Sequence, residues 1–166
     1  MKSKLTNKKI CYLEELSIEE KNRCNEICNL SFPKKTIIDY MVSSEKQNII
    51  ISLLYVEDLI VGLCFAKIKR KNVIKPLSNT FLQLNTICID PKYRGKGLCF
   101  DLVQNLLKAK LNIEGKMYNL GRSFNMYLYV GTAAENPNIA AIKCYQKNGF
   151  SFVDMLYESR GDGELN

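Results

Sequence analysis

Apolar residues recur with two different periods along the chain, and each change of period marks a new element. Two β-branched apolar runs, residues 48–56 and 59–69, are separated only by Glu57 and Asp58. This spacing predicts a β-hairpin with a two-residue turn. Similar patterns predict further strands, at residues 9–14, 81–89, 126–130 and 150–157.

The first helical region follows the first predicted strand. Ser17 followed by Glu20 has the form of a capping box, which predicts the start of a helix. Pro33 ends this helix, because the residue before a proline is pushed out of the helical region. A second, short helix is predicted at residues 36–42.

Two more helices are predicted in the second half of the chain. Leucines and a valine at spacings of three and four predict an amphipathic helix over residues 98–111. A last helix over residues 138–147 is closed by Asn148 and Gly149, whereas residues 112–124 are polar and have no clear period. The resulting order, β-α-α-β-β-β-α-β-α-β, indicates a mixed sheet with helices on its faces.

Composition narrows the class of protein. A chain of 166 residues with 46% hydrophobic and 25% charged residues is expected to fold as one domain, residues 1–166. No apolar run is long enough for a membrane span, and the charged N-terminus is not typical of a signal peptide, so a cytoplasmic location is expected. The seven cysteines are therefore expected to be reduced thiols. The chain has no histidine and no C-x-x-C pair, so a zinc site, any other resident metal and a histidine base are not expected.

The net charge of +7 lies in one segment of the chain. Between residues 67 and 96 only Asp90 is acidic, and the basic residues there are Lys67, Lys69, Arg70, Lys71, Lys75, Lys92, Arg94 and Lys96. A local excess of this kind suits an anionic ligand. Nucleic acid is an unfavoured partner, because only Phe81 and Tyr93 offer aromatic rings in this stretch. A solvated hairpin tip is the alternative explanation for residues 67–75.

The turn after the strand at residues 81–89 carries the most specific chemical signal. Gly95 and Gly97 alternate with Arg94 and Lys96 directly before an amphipathic helix. Unpaired N–H groups at a helix start bind phosphate, and glycines let a pyrophosphate approach them. The pattern is neither a dinucleotide fingerprint nor a Walker P-loop, because G-x-G-x-x-G and G-K-[ST] are both absent.

Two motifs resemble the GNAT superfamily of acetyl-CoA-dependent N-acetyltransferases. The acyl-CoA loop of that family reads R/Q-x-x-G-x-G/A, and Arg94 and Gly97 stand on its fixed positions, with Cys99 where glycine or alanine is usual. The second pattern, N-x-x-A-x-x-x-Y-x-K-x-G-F, is matched by Asn138, Ala141, Tyr145, Lys147, Gly149 and Phe150. Asn136 is an alternative for the asparagine, although Asn138 keeps the spacing to Tyr145. Together the motifs cover residues 80–153.

The resemblance implies a fold and a co-substrate site. The fold class is α/β (α+β): a mixed, mostly antiparallel twisted sheet of about six to seven strands, flanked by about four helices and splayed at the acyl-CoA site. Acetyl-CoA is the implied co-substrate. Backbone groups of Ile87, Cys88 and Ile89 would pair with the pantetheine arm, and Asn138 would hydrogen-bond to it. The residues implied to hold the pyrophosphate are Arg94, Gly95, Lys96, Gly97, Leu98 and Cys99.

The resemblance also implies direct attack of a neutral amine on the thioester, with Tyr145 at the sulfur as proton donor. Candidates for the base are Tyr129 and Glu135, and a water chain is an equal alternative. An acyl-cysteine intermediate on Cys88 or Cys99 is disfavoured, because no histidine is present to generate the thiolate.

The sequence gives the least information about the amine that accepts the acetyl group. Amino-sugar phosphate acetyltransferases of this superfamily end soon after the G-F motif, as this chain does. Together with the local positive charge, this favours a small phosphorylated amine such as glucosamine 6-phosphate. The alternatives are a protein N-terminal or lysine acetyltransferase, suggested by Phe32-Pro33, and a non-catalytic acyl-CoA-binding module. No membrane partner is expected, and a homodimer is a further expectation because the last strand lies near the C-terminus.

Overall fold

A computed structural model describes residues 7–31, 49–70, 80–128 and 139–151, and within them five strands form one sheet. In chain order these strands are β1 (Asn7–Tyr12), β2 (Ile49–Val56), β3 (Leu59–Arg70), β4 (Thr80–Ile89) and β7 (Asn125–Leu128). A second, two-stranded sheet contains β5 (Lys110–Ile113) and β6 (Lys116–Asn119). The α-helices of the described residues are α1 (Ile18–Ser31), α2 (Leu98–Lys108), α3 (Leu120–Ser123) and α4 (Ile139–Lys147).

The main sheet has the order β1-β2-β3-β4-β7. Its first three pairings are antiparallel, and β4 with β7 is parallel. This confirms a mixed, mostly antiparallel sheet flanked by helices. Seven strands are described, two of them outside the main sheet, and the region where a splay was expected extends beyond Leu128, outside the described residues.

The hairpin between β2 and β3 has the predicted two-residue turn. Glu57 and Asp58 both have positive φ, 50° and 63°, and Val56 pairs with Leu59 across them. Positive φ at both central residues is the geometry that matches the twist of the flanking strands.

Each face of the main sheet has its own hydrophobic core. Along β2, Ile50 and Leu54 pack with α2, whereas Ile51 and Leu53 pack with α1. We call these the α2 face and the α1 face. A strand buried on both faces carries apolar residues at nearly every position, which explains the unbroken apolar run in the sequence.

The start of α1 forms as the capping box predicted. The Ser17 hydroxyl accepts from the Glu20 backbone N–H at 3.2 Å, and the Glu20 carboxylate accepts from the Ser17 N–H at 2.9 Å. These two bonds satisfy donors that the first helical turn leaves without partners. Pro33 and the predicted helix at residues 36–42 lie outside the described residues.

Two predicted boundaries are wrong. Leu13 and Glu14 belong to a 3₁₀ turn (Leu13–Glu15) and not to β1. Helix α2 ends at Lys108, where Ala109 takes an extended conformation. Leu111 is instead a buried residue of β5, and it reaches the α2 face from there, so its spacing matched the helical stripe although its backbone is extended.

Residues 112–124, for which no period was found, contain regular structure. They include most of the β5–β6 hairpin, whose turn has positive φ at Glu114 and Gly115, followed by the short helix α3. The segment is predominantly polar because its strands are short and largely exposed.

The end of α4 matches the prediction, since Gly149 follows it with φ +88°. Phe150 and Ser151 are not in a strand, and the rest of the strand predicted at residues 150–157 lies outside the described residues. Among the helices that the structure describes, none has the length and apolar character needed to cross a membrane.

Candidate functional site

The second half of β4 leads into the glycine turn. The register between β3 and β4 shifts at Asn85, which is left out of the pairing. On its other side β4 pairs with β7 from Phe81 to Leu84, and the described residues place no strand beside Thr86–Ile89 there. The bulge interrupts the ladder between β3 and β4, which resumes at Thr86 and continues to Ile89, next to the candidate site. The side chains of Ile87 and Ile89 pack on the α2 face, whereas Cys88 is buried on the α1 face.

The turn itself is built by one aspartate and two glycines. The Asp90 carboxylate accepts from the Lys92 backbone N–H at 2.9 Å and caps a 3₁₀ turn (Pro91–Tyr93). Gly95 and Gly97 then have φ of +75° and +81°, a region that side chains disfavour. Gly97 is the N-cap of α2, and the Phe100 N–H donates to its carbonyl at 2.9 Å. The N–H groups of Leu98 and Cys99 precede the first i→i−4 bond of the helix, so they point out of the helix end.

Three basic residues are exposed around this helix start: Lys92, Arg94 and Lys96. Arg94 is held in place, because its Nε donates to the Ile89 carbonyl at 3.0 Å and its Nη2 donates to the Ser31 hydroxyl at 3.0 Å. The Lys96 ammonium lies over the Tyr93 ring, 4.9 Å from its centroid. Positive charge and open N–H groups therefore coincide, which is the arrangement that binds phosphate.

Asp90, the acidic residue within this basic segment, does not neutralise these cations. Its carboxylate is buried and pairs with the Arg23 guanidinium of α1. Burial opposes ionisation of Asp90 most strongly, but the hydrogen bonds from the Lys92 backbone and Arg23 outweigh it and lower its pKa. Sequence reasoning did not identify Arg23 as the partner of Asp90. The available signal was Asp90 itself, because an aspartate directly before Pro91 is a typical capping residue.

Tyr145 lies on α4, half-buried against the core of the α2 face. Its ring meets the Phe150 ring edge-on, with centroids 6.4 Å apart. Burial, with a smaller contribution from Cys64, raises the pKa of Tyr145 to about 12. Its hydroxyl has no hydrogen-bond partner among the described residues.

The prediction that all seven cysteines are reduced thiols is wrong. Cys99, in the first turn of α2, and Cys144, on α4, are joined by a disulfide with their Cα atoms 6.3 Å apart. They are 45 residues apart in sequence, so only the packing of α2 against α4 brings them together. The remaining cysteines are buried free thiols: Cys11, Cys24, Cys28, Cys64 and Cys88. No group of three metal-ligating side chains occurs in the part of the chain that the structure describes.

Three of the predicted site residues lie outside the described residues: Tyr129, Glu135 and Asn138. Those that the structure describes occupy consecutive parts of one region, namely the end of β4, the turn and the first residues of α2. Tyr145 joins this region through Cys144, its neighbour on α4, which is bonded to Cys99.

Comparison with known proteins supports a single class. A family model described as an acetyltransferase (GNAT) domain matches residues 47–152. The chain therefore belongs to the GNAT acetyltransferase family, and it is an acyltransferase of the N-acetyltransferase class. No curated protein matches it in sequence.

Solved structures with similar folds have low sequence identity. An aminoglycoside acetyltransferase, AAC(6')-Iy in complex with a bisubstrate analogue of CoA, has a TM-score of 0.63 and 14% identity over 95% of this chain and 100% of its own. AAC(6')-Ih from Acinetobacter baumannii has a TM-score of 0.60 and 15% identity over the same shares. The ribosomal-protein-S18-alanine N-acetyltransferase from Escherichia coli has a TM-score of 0.57 and 16% identity over 89% of this chain and 80% of its own.

Proposed function

We propose that this chain, acting as a single domain, transfers the acetyl group of acetyl-CoA to the primary amine of a small amino sugar. The observation that carries the proposal is the turn between β4 and α2. There, two glycines with positive φ, the open first helical turn and three exposed cations meet. Family membership supports an enzyme over a non-catalytic acyl-CoA-binding module.

In this proposal the turn binds the pyrophosphate of acetyl-CoA. Backbone N–H groups of residues 94–99 donate to it, while Arg94 and the neighbouring lysines supply charge. The backbone of Ile87, Cys88 and Ile89 lines the pantetheine arm along the edge of β4 that no described strand covers. Asn138 contributes a further hydrogen bond to that arm.

The chemical step is attack of the neutral amine on the thioester carbonyl carbon, after which the C–S bond breaks. Tyr145 donates a hydrogen bond to the departing sulfur. Because its pKa is raised to about 12, Tyr145 is protonated at every physiological pH. Full proton transfer to a thiolate whose conjugate acid has a pKa of about 8.5 is uphill by roughly 5 kcal/mol. Tyr145 therefore acts as a hydrogen-bond donor that stabilises charge on sulfur, and the proton of the ammonium leaves through Tyr129, Glu135 or water.

An amino-sugar phosphate such as glucosamine 6-phosphate is the proposed acceptor. The aminoglycoside acetyltransferases with similar folds support an amine carried on a sugar ring. The basic excess of residues 67–96 extends beyond the turn, which leaves positive charge for an additional phosphate on the acceptor. Acetylation of a protein N-terminus is the second candidate, supported by the similarity in fold to the ribosomal-protein-S18-alanine N-acetyltransferase.

An acceptor screen tests the proposal. Release of free CoA and formation of acetylated product would be measured with glucosamine 6-phosphate, unphosphorylated glucosamine, an aminoglycoside, a polyamine and a peptide beginning with alanine. We expect the highest kcat/KM with glucosamine 6-phosphate. Turnover of the peptide alone would replace the proposed acceptor with the second candidate, and absence of turnover with every amine would contradict the proposed reaction. Sedimentation of the same sample would test the expected homodimer.

A further inference from the structure

The disulfide between Cys99 and Cys144 connects the two helices that meet at the candidate site. Cys99 lies two residues after Gly97, within the helix turn proposed to hold the pyrophosphate. Cys144 directly precedes Tyr145 on α4. About one helical turn further along both helices, the Gln104 side chain donates to the Asn148 side chain at 2.8 Å. Two connections therefore fix α4 against α2, and one of them is covalent.

The other thiols are poorly placed to react. Cys11, Cys24, Cys28, Cys64 and Cys88 are all buried. Burial raises the pKa of Cys11 to about 11 and that of Cys24 to about 12, so both stay protonated. Cys99 differs, because it is only half-buried and lies in the first turn of a helix, a position that favours the reactive thiolate.

We propose that Cys99 and Cys144 form a reversible redox link that regulates the acetyl-CoA site. The proposal rests on the function proposed above. In its oxidised form the link holds the pyrophosphate turn and Tyr145 in one relative position before acetyl-CoA binds. In its reduced form α4 loses this covalent connection and keeps, among its contacts with α2 in the described residues, the Gln104–Asn148 bond and apolar packing, so ordering α4 is a cost of binding. The oxidised form therefore binds acetyl-CoA more tightly.

The oxidant is a small disulfide such as glutathione disulfide. The Cys99 thiolate attacks one of its sulfurs, the glutathione S–S bond breaks, and one glutathione leaves and takes up a proton. Cys144 then loses its proton and attacks the Cys99 sulfur, releasing the second glutathione. Two protein thiols are oxidised by two electrons, and one glutathione disulfide is reduced to two thiols. Disulfides that form in a reducing compartment are usually transient and serve in catalysis or redox sensing.

Calorimetric titration of CoA into the full chain tests the inference. The protein would be equilibrated with either glutathione disulfide or dithiothreitol, and free thiols would be counted after denaturation. We expect five thiols in the oxidised form and seven in the reduced form. Reduction is expected to raise the Kd for CoA about 5- to 10-fold. Peptide mapping should find the cross-link between Cys99 and Cys144; a cross-link between Cys28 and Cys88, whose sulfurs lie 3.1 Å apart, would overturn the assignment.

Two variants separate the link from general effects of thiol chemistry. Cys144→Ser under dithiothreitol should bind CoA as the reduced wild type does. With glutathione disulfide it should stop at the mixed disulfide on Cys99 and never reach the tighter binding of the oxidised wild type. Cys11→Ala, which removes a buried thiol on the α1 face, should keep the full response. An equal Kd in both redox forms of the wild type would overturn this inference alone. Failure of both forms to bind CoA would overturn the proposed function as well.

Discussion

The two faces of the main sheet are stabilised by different chemistry. On the α1 face, the Glu20 carboxylate accepts from Lys9 at 2.8 Å and from the Tyr55 hydroxyl at 2.7 Å, so one charged group joins α1 to β1 and β2. On the α2 face, aliphatic packing is combined with a disulfide between two helices. We therefore expect the α1 face to respond to pH and the α2 face to respond to redox conditions.

The two faces also meet at the turn proposed to bind the cofactor. Arg23 of α1 pairs with Asp90, and Arg94 of the turn donates to Ser31 at the end of α1. The turn is thus positioned by polar contacts with α1, although the helix that follows it packs on the α2 face. Binding and stability can therefore be disturbed separately, by substituting a residue on one side of the turn or on the other.

The largest expected effect is that of a negative charge in the turn. Gly97→Glu places a carboxylate in the proposed anion site and forces a side chain into positive φ, so we expect CoA affinity to fall at least about 100-fold. Calorimetric titration with CoA measures this. Gly115→Glu is the matched control, because Gly115 has the same φ of +81° in the exposed β5–β6 turn. Equal losses in both variants would remove the turn from the binding site.

The next effect concerns the α1 face. Burial opposes ionisation of Glu20, but hydrogen bonds from Lys9, Tyr55 and the Ser17 backbone outweigh it and lower the pKa to about 2. A carboxyl whose pKa falls on folding adds stability above its unfolded value of 4.5, and this stability is lost as pH falls toward 2. Because solvent screens this partly exposed carboxylate, Glu20→Gln should lower the free energy of unfolding by roughly 2 kcal/mol at pH 7.

Urea unfolding at several pH values measures the contribution of Glu20. The difference in free energy of unfolding between Glu20→Gln and wild type should shrink between about pH 5 and pH 2. Glu14→Gln, at an exposed position, should have nearly the stability of the wild type at every pH. A difference that stays constant down to the lowest pH would mean that Glu20 acts by packing and not by charge. The CoA affinity of Glu20→Gln at pH 7 should equal that of the wild type, because Glu20 contributes to stability on the α1 face and not to binding.

The smallest expected effect lies on the α2 face. Tyr145→Phe removes one hydrogen-bond donor, so kcat should fall about 10-fold, equivalent to about 1.4 kcal/mol, with little change in CoA affinity. Because the pKa of Tyr145 is raised to about 12, the ratio of wild-type to variant rates should be constant from about pH 6 to 9. Tyr118→Phe, in β6, is the matched control. Unchanged turnover in Tyr145→Phe would assign this residue to packing only.

Local signals in the sequence predicted much of the fold. The Glu57-Asp58 turn, the Ser17–Glu20 capping box and the glycine after α4 are each decided by a few adjacent residues, and each is confirmed. The end of α2 was predicted wrongly, because Leu111 reaches the same core from a strand that apolar spacing alone cannot distinguish from a helix.

The candidate site likewise has one part that a local motif predicts and another that depends on long-range packing. The glycine turn is a local motif and could be recognised directly from the sequence. The Arg23–Asp90 pair and the Cys99–Cys144 bond join residues 67 and 45 positions apart. Such contacts depend on how helices pack against the sheet, and no short pattern encodes them. The environment that raises the pKa of Tyr145 has the same origin.

The pairing of Asp90 with Arg23 has a consequence for the speed of binding. Because the Asp90 carboxylate is already paired with Arg23, Lys92, Arg94 and Lys96 act together on an approaching polyphosphate. Their attraction extends into solvent over roughly 8 Å, the Debye length at physiological ionic strength. The rate of association with acetyl-CoA should consequently fall as salt is added, while the rate of dissociation changes much less.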